Sequence, residues 1–228
     1  MAKIARSPLS RNRVLETAMA IADAEGLAAV SMRHIASDLG VEAMSLYYHL
    51  PSKNALLDGL VERLALEILA ESEASETGLG DWRDDVRARS LAARRVMVRH
   101  PWGPSLITSR AAIPVEVQAV FEAVLAAMIR GGLSYRVAHR GMHPLSSMVL
   151  GFVQEPFSAP SADSAEQPVL DEAMVAAMAD MFPHTAAMVA AELHEEGEAS
   201  LGWCDTQTEF EFTLGLLLDG LDRAAAGS

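Results

Sequence analysis

Apolar residues recur at helical spacing along almost the whole chain, and small polar residues mark where one run stops and the next begins. Val14, Ala18, Ile21 and Ala22 predict a first amphipathic helix, closed by Glu25-Gly26 with glycine as its C-cap. Ser31 can cap a second helix whose inward face is Ile35, Ala36 and Leu39. Gly40 supplies a tight turn, and Val41 and Leu46 close a small core beneath a third helix carrying Ala43 to His49. Ser52 then caps a longer helix from Lys53, in which Leu56, Leu57, Leu60, Val61, Leu64 and Ile68 form one apolar stripe. The stripe outruns the three-helix unit, so this helix is expected to join that unit mechanically to the rest of the chain.

The stretch SEASETGLG, residues 72–80, reads as a surface loop. Beyond it helices are predicted at 82–99, 103–110, 114–130, 134–154, 167–182, 184–196 and 207–225. The breaks are His100-Pro101, Ile113-Pro114, Gly131-Gly132, residues 156–168 and residues 197–205. No β-like alternation and no internal repeat is present. The expected fold is all-α in two parts: a three-helix DNA-binding domain of helix-turn-helix type at 1–58, and a larger helical domain at 59–228, to which the family resemblance given below adds ligand binding and dimerisation.

Charge sharpens the division. The net charge of −13 is wrong for a chain that meets a polyanion over its whole surface. Residues 1–60, however, hold six Lys or Arg against six Asp or Glu, while residues 61–228 hold twelve against twenty-five. Only the first segment is electrostatically fit to approach DNA, and the acidic remainder confines contact to one end. Lys3, Arg6, Arg11 and Arg13 precede the first acidic residue and read either as a basic arm for phosphates or as a solubilising tail. No apolar run reaches the roughly 18 residues of a membrane span, and the first ten residues lack the apolar middle of a secretory signal. A cytoplasmic protein without a membrane partner is expected, and the single cysteine, Cys204, fits a reducing compartment.

The chemistry-bearing residues are sparse. Neither a phosphate-binding glycine loop nor a nucleophile with its base is legible, so no catalytic residue and no cofactor is predicted. Trp102, after His100-Pro101, and the group Tyr135, His139, Arg140, His143 and Phe152 are the candidates for an effector site, because a cavity needs aromatic walls and a few directional partners. His139 and His143 stand one helical turn apart; the pair is open to a surface role, to ligand contact or to metal binding, although no glutamate of an HExxH arrangement accompanies it. Twelve methionines fit a soft core or a forgiving cavity. Phe210, Leu214, Leu217, Leu218 and Leu221, with Met148, Val149 and Phe152 in another long helix, are apolar faces that suit either a dimer contact or a monomer core.

Taken together, Arg33, Ala36, Leu39-Gly40-Val41-Glu42, Ser45-Leu46-Tyr47-Tyr48-His49, Lys53 and Ala55-Leu56-Leu57-Asp58 resemble the DNA-binding segment of TetR-family transcriptional regulators, in pattern nearest the tetracycline-repressor branch. Residues 210–221 are similar to that branch's final dimer-forming helix, and Trp82, Asp85 and Arg87 add a looser match between. The resemblance implies a homodimer joined through a four-helix interface, a palindromic double-stranded operator, and a small-molecule effector bound in each core domain. Ala43, Met44, Ser45, Tyr48 and His49 then lie on the recognition helix, with Ser45 at a base edge or phosphate and Ala43 or Met44 against a thymine methyl. Arg33 becomes the candidate for a bidentate guanine contact, while Tyr47, His49 and Lys53 hold phosphates. Singly, Tyr47 and Tyr48 also suit packing, and Arg33 a solvated surface charge. The sequence departs from tetracycline repressor at Ala43-Met44, and it has Ile107 where a metal-binding histidine is expected, with Arg89 and Ala93 in the approximately matching drug-binding region. A different operator is therefore expected, and tetracycline is not assumed. The implied activity is a repressor released by its effector; a helical small-molecule-handling enzyme and a protein-interaction module are the alternatives.

Overall fold

The computed structural model describes residues 8–75, 80–154, 177, 179–188 and 206–227. The expectations for Lys3, Arg6 and Cys204, for most of the helix at 167–182 and for the end of the helix at 184–196 lie outside these residues. Among the described residues the chain is helical with no strand, and no helix is long and apolar enough to cross a membrane. Two compact units are present, one of residues 1–153 with 217–228 and one of residues 154–216.

Local chemistry sets the first four helices. In α1, Arg11–Glu25, the Ser10 hydroxyl accepts from the Arg13 amide at 3.3 Å; in α2, Met32–Leu39, Ser31 does the same for His34 at 3.2 Å. Gly40 ends α2 in the left-handed region at φ 64°, and the Val41 amide reaches back to the Ala36 carbonyl at 3.0 Å. That closure needs a residue without a Cβ penalty, which glycine supplies. The regular part of the third helix is shorter than predicted: α3 covers only Ala43–Leu46, and residues 47–49 continue as a turn tied by His49 and Leu50 amides to the Leu46 carbonyl, both at 2.9 Å. Glu42 offers α3 no side-chain cap, so a single helical turn is held mainly by the buried Leu46 beneath it. In α4, Lys53–Ala74, Ser52 caps by accepting from the Ala55 amide at 3.0 Å.

Farther along lie α5, Trp82–Arg99; α6, Gly103–Thr108; α7, Val115–Arg130; α8, Tyr135–Gly151; and α9, Thr206–Ala226, with further helical residues at 179–181 and 183–188. A short 3₁₀ turn, Phe152–Gln154, follows α8, and α8 itself runs through Pro144. Helix α4 packs against α5 and α7, and α8 packs against the same two. At Gly141 a Cβ would stand 2.8 Å from a Leu221 methyl, so α8 and the end of α9 approach closely enough that the Leu221 side chain would have to move aside for any larger residue. Arg83 of α5 binds Asp219 and, at 3.4 Å, Asp222 of the same terminal turns.

The expected boundary after residue 58 falls inside α4. The first half of this helix shares one core with α1, α2 and α3, together called the head, where Leu15, Ile35, Leu46, Leu50, Leu56 and Leu60 are all at most 2% exposed. Each such side chain contributes about 1.5–3 kcal/mol of burial.

Candidate nucleic-acid interface and ligand cavity

The packing that hides Leu46 leaves its neighbours outside. Tyr48 is 91% exposed, Met44 73% and Tyr47 41%, and Arg33 and Lys53 are exposed on the adjoining helices. Three large side chains stand in water on one helical turn and the turn after it, an exposed apolar patch of the kind that marks interaction surfaces. Arg33 and Lys53 make no ion pair among the described residues, which leaves their donors for an anion. Ser45 and His49 are half-buried; the Ser45 hydroxyl donates to the Glu42 carbonyl at 2.6 Å, so its oxygen keeps acceptor capacity for an outside donor. Ala43 is half-buried as well and packs against the core of the first three helices. Arg11, expected in a basic arm, is instead a structural cation. It forms a two-pronged pair with Glu62 of α4, at 2.8 and 2.5 Å, and that hydrogen bond holds its guanidinium above the ordinary value.

Behind the head, five helices leave space unfilled. The second half of α4, through Val61, Ala65, Ile68, Leu69 and Ser72, faces Arg89, Ser90, Ala93 and Met97 of α5 and Ile107 of α6. Phe121 and Val124 of α7 and Met142, Ser146 and Val149 of α8 complete the wall. The cavity gives water-sized spheres about 110 Å³ in which to move, a hollow smaller than the roughly 300–1,000 Å³ of fully formed small-molecule sites. Among the described residues its walls are apolar except for Arg89 and three serines.

None of the six predicted effector residues, His100, Trp102, Tyr135, His139, His143 or Phe152, belongs to this lining. The reason for α8 is register: Met142, Ser146 and Val149 share the face turned to the cavity, which puts Tyr135, His139 and His143 on the exposed one. His139 and His143 stack edge to face with ring centroids 5.0 Å apart, and no group of three metal-binding side chains occurs among the described residues. Phe152 lies half-buried beneath the Arg94 guanidinium, 6.0 Å from its ring centre.

His100 and Trp102 do something the sequence did not disclose. The His100 ring is buried, with Nδ1 2.7 Å from Asp23 of α1 and Nε2 3.1 Å from Glu67 of α4, while the Trp102 indole donates to the same Asp23 oxygen at 2.7 Å. The two rings meet edge to face at 5.6 Å. This polar joint fastens α1 and α4 of the head to the segment between α5 and α6, and that segment is flanked by two cavity-wall residues, Met97 and Ile107.

The expected dimer residues take these places in the single chain. Met148, Phe210, Leu214, Leu218 and Leu221 are at most 9% exposed in one chain, and Val149 faces the cavity. A side chain with no accessible surface has none to give to a second copy; of those named on α9 only Leu217 is half-exposed. The outward apolar residues of α9 are Phe212, 63% exposed, and Leu216, 54% exposed, one turn apart.

Comparison with known proteins matches both regions. Residues 14–60 correspond to the domain of bacterial regulatory proteins of the tetR family, and residues 74–225 to the tetracyclin repressor-like C-terminal domain. The HTH-type transcriptional repressor DrrR1 of Streptomyces coeruleorubidus is 39% identical over 94 residues, 41% of this chain and 34% of that protein. Tetracycline repressor protein class D of Escherichia coli is 30% identical over 149 residues, 64% of this chain and 66% of its own length. The chain thus spans between about a third and two thirds of these relatives. Among solved structures, apo ActR from Streptomyces coelicolor superimposes with a TM-score of 0.73 and 26% identity, covering 98% of this chain and 99% of that one. ActR in complex with actinorhodin does so at 0.68, again with 26% identity, over 96% and 99%.

Proposed function

The chain belongs to the TetR family of bacterial regulatory proteins, and from that premise we propose that it is a transcriptional repressor that binds a palindromic operator as a homodimer and leaves it when a small molecule fills the cavity behind α4. The observation that carries this reading is the double use of α4. Leu56 and Leu60 belong to the head's core, while Val61, Ala65, Ile68 and Leu69, farther along the same helix, wall the cavity. A ligand that changes the position of the second half must act on the first, because an α-helix transmits displacement along its axis. The joint of Asp23, His100, Glu67 and Trp102 supplies a parallel connection from the α5–α6 segment to α1 and α4. The names of DrrR1, a repressor, and of ActR, captured with actinorhodin, support repression and effector binding as the two halves of the activity.

On the DNA side, Met44 and Tyr48 enter the major groove, Arg33 takes a guanine or a phosphate, and Tyr47, His49 and Lys53 hold the backbone. The second copy docks on exposed apolar positions of α9, Phe212 and Leu216, and not on the buried face. Two-fold symmetry then gives a palindromic site. The test is selection of bound duplexes from a random library, followed by titration of the winner across salt. A palindromic winner whose affinity falls steeply with salt supports the reading; no enriched duplex contradicts it.

A further inference from the structure

We propose that His139 and His143, one turn apart on the outer face of α8, chelate a divalent transition metal that favours nitrogen ligands, zinc or copper, at a site separate from the cavity on the inner face of the same helix. Both side chains are exposed. Among the described residues each ring touches the other and makes no hydrogen bond or ion pair, so the acceptor nitrogen of each neutral imidazole stays open to an ion.

The spacing of the rings suits a shared ion. Zinc stands about 2.0–2.1 Å from an imidazole nitrogen and so about 3.2 Å from the ring centre, which puts two rings bound at roughly 90–109° about 4.5–5.2 Å apart. The centroids of His139 and His143 are 5.0 Å apart, with the ring planes at 89°. Rotation of the two side chains, without movement of the helix, then brings one nitrogen of each to a common point.

The chemistry around the pair selects the ion. Helix α8 carries no carboxylate, and the exposed Arg136 and Arg140 flank the rings. Magnesium and calcium need oxygen ligands and find none on this face, whereas zinc and copper accept imidazole nitrogen with water in the remaining positions. The two arginines oppose any cation, but they stand in solvent, where water and salt screen them. The chain's charge of −13 acts the other way and draws cations to its surface.

The backbone gives such a site a consequence. Pro144 lies inside α8 and has no amide hydrogen to offer the Arg140 carbonyl. The Ser146 hydroxyl donates to the Met142 carbonyl at 2.8 Å, a bond that competes with the helix ladder. The turn spanned by the two histidines is therefore a weak one, and Met142 and Ser146 on its inner side wall the cavity. An ion held by both rings staples that turn from outside and fixes the register of the wall.

The test uses the full-length protein at neutral pH in a buffer that does not bind metals. Calorimetric titration with zinc chloride and with copper chloride is expected to show binding, and magnesium chloride none. His139→Ala and His143→Ala, both at exposed positions, are each expected to weaken this site about tenfold or more, because a single imidazole lacks the effective concentration that its neighbour supplies. Electron paramagnetic resonance of the copper-loaded protein should show coupling to two chain nitrogens at the site, and to one in either variant. Saturating zinc should raise the Tm of the unaltered protein by about 5 °C and that of the variants by less. Binding that both variants retain undiminished, or a copper spectrum that they share with the unaltered protein, assigns the metal to other side chains and overturns the proposal. Absence of zinc and copper binding overturns it as well, and a zinc-bound protein with an unchanged Tm overturns the stapling of α8.

Discussion

The head and the cavity region share α4 and pack it in opposite ways. Around the first half of the helix, side chains from α1, α2 and α3 close over Leu56 and Leu60, and the large apolar groups left outside are the three beside Leu46 that stand in solvent. Around the second half, α4 meets α5, α7 and α8 through small or flexible residues, Ala65, Ala93, Ala123 and Met142, and a hollow is left. A filled core behaves as a rigid body, because close-packed interiors resist small displacements. A hollow one can rearrange at low cost when a ligand supplies the missing contacts. Rigidity in the head and unfilled space behind it are the two properties a ligand-controlled reader needs, and one continuous helix carries both.

Breaking the filled side should have the largest effect. Leu46→Ala removes a side chain with no exposed surface from under a helix of one regular turn, and is expected to cost about 2–5 kcal/mol and to abolish operator binding. Denaturant unfolding and a duplex titration check it; a variant that binds normally would mean the head is not held by this packing. Cutting the joint comes next. Asp23→Ala strands the His100 and Trp102 donors in a nearly buried place, at a cost of about 1–3 kcal/mol. The variant should keep both ligand and operator binding while the effect of one on the other shrinks; undiminished coupling would assign transmission to α4 alone.

Filling the hollow sharpens the contrast from the other direction. Ala123→Phe on α7 should stabilise the chain by about 0.5–2 kcal/mol, leave operator affinity near its starting value and eliminate the ligand response. Loss of operator affinity would show that the head is not independent of the cavity's volume.

The smallest effect lies in the ion pairs on the acidic surface. The Arg95 guanidinium, hydrogen-bonded at 2.7 Å, holds the Glu71 carboxyl below its ordinary range, with Arg99 adding to this at 2.5 Å. Arg83 does the same for Asp219. A carboxylate lowered on folding contributes stability that is fully present above its unfolded value and disappears as pH falls through the folded one. Thermal stability should therefore be level at neutral pH and decline once pH drops below about 4.5, the ordinary glutamate value, and Glu71→Gln should flatten that decline slightly.

The same contrast explains how much the sequence disclosed. Ser31, Ser52 and Gly40 act on backbone groups within a few residues of themselves, so caps, turn and helix order in the head can be read directly. The hollow depends on which faces of five separated helices converge. Met142, Ser146 and Val149 look no different in sequence from the neighbouring His139 and His143, and only the register of α8 against α5 and α7 decides which set faces inward. Arg89 and Ala93 are legible through the family resemblance, but aromatic residues draw the candidate site elsewhere. The dimer residues mislead for a related reason: a buried core face and an interface face carry the same apolar pattern, and Phe210 and Phe212 are distinguished only by exposure.

The most direct test of the link through α4 is a reciprocal one. Operator affinity would be measured with and without a saturating small molecule that fills the cavity, and that molecule's affinity with and without the selected operator. Linkage requires both to weaken by one and the same factor, expected at about 5- to 150-fold. A molecule that occupies the cavity and leaves operator affinity unchanged would contradict the coupling of cavity to head.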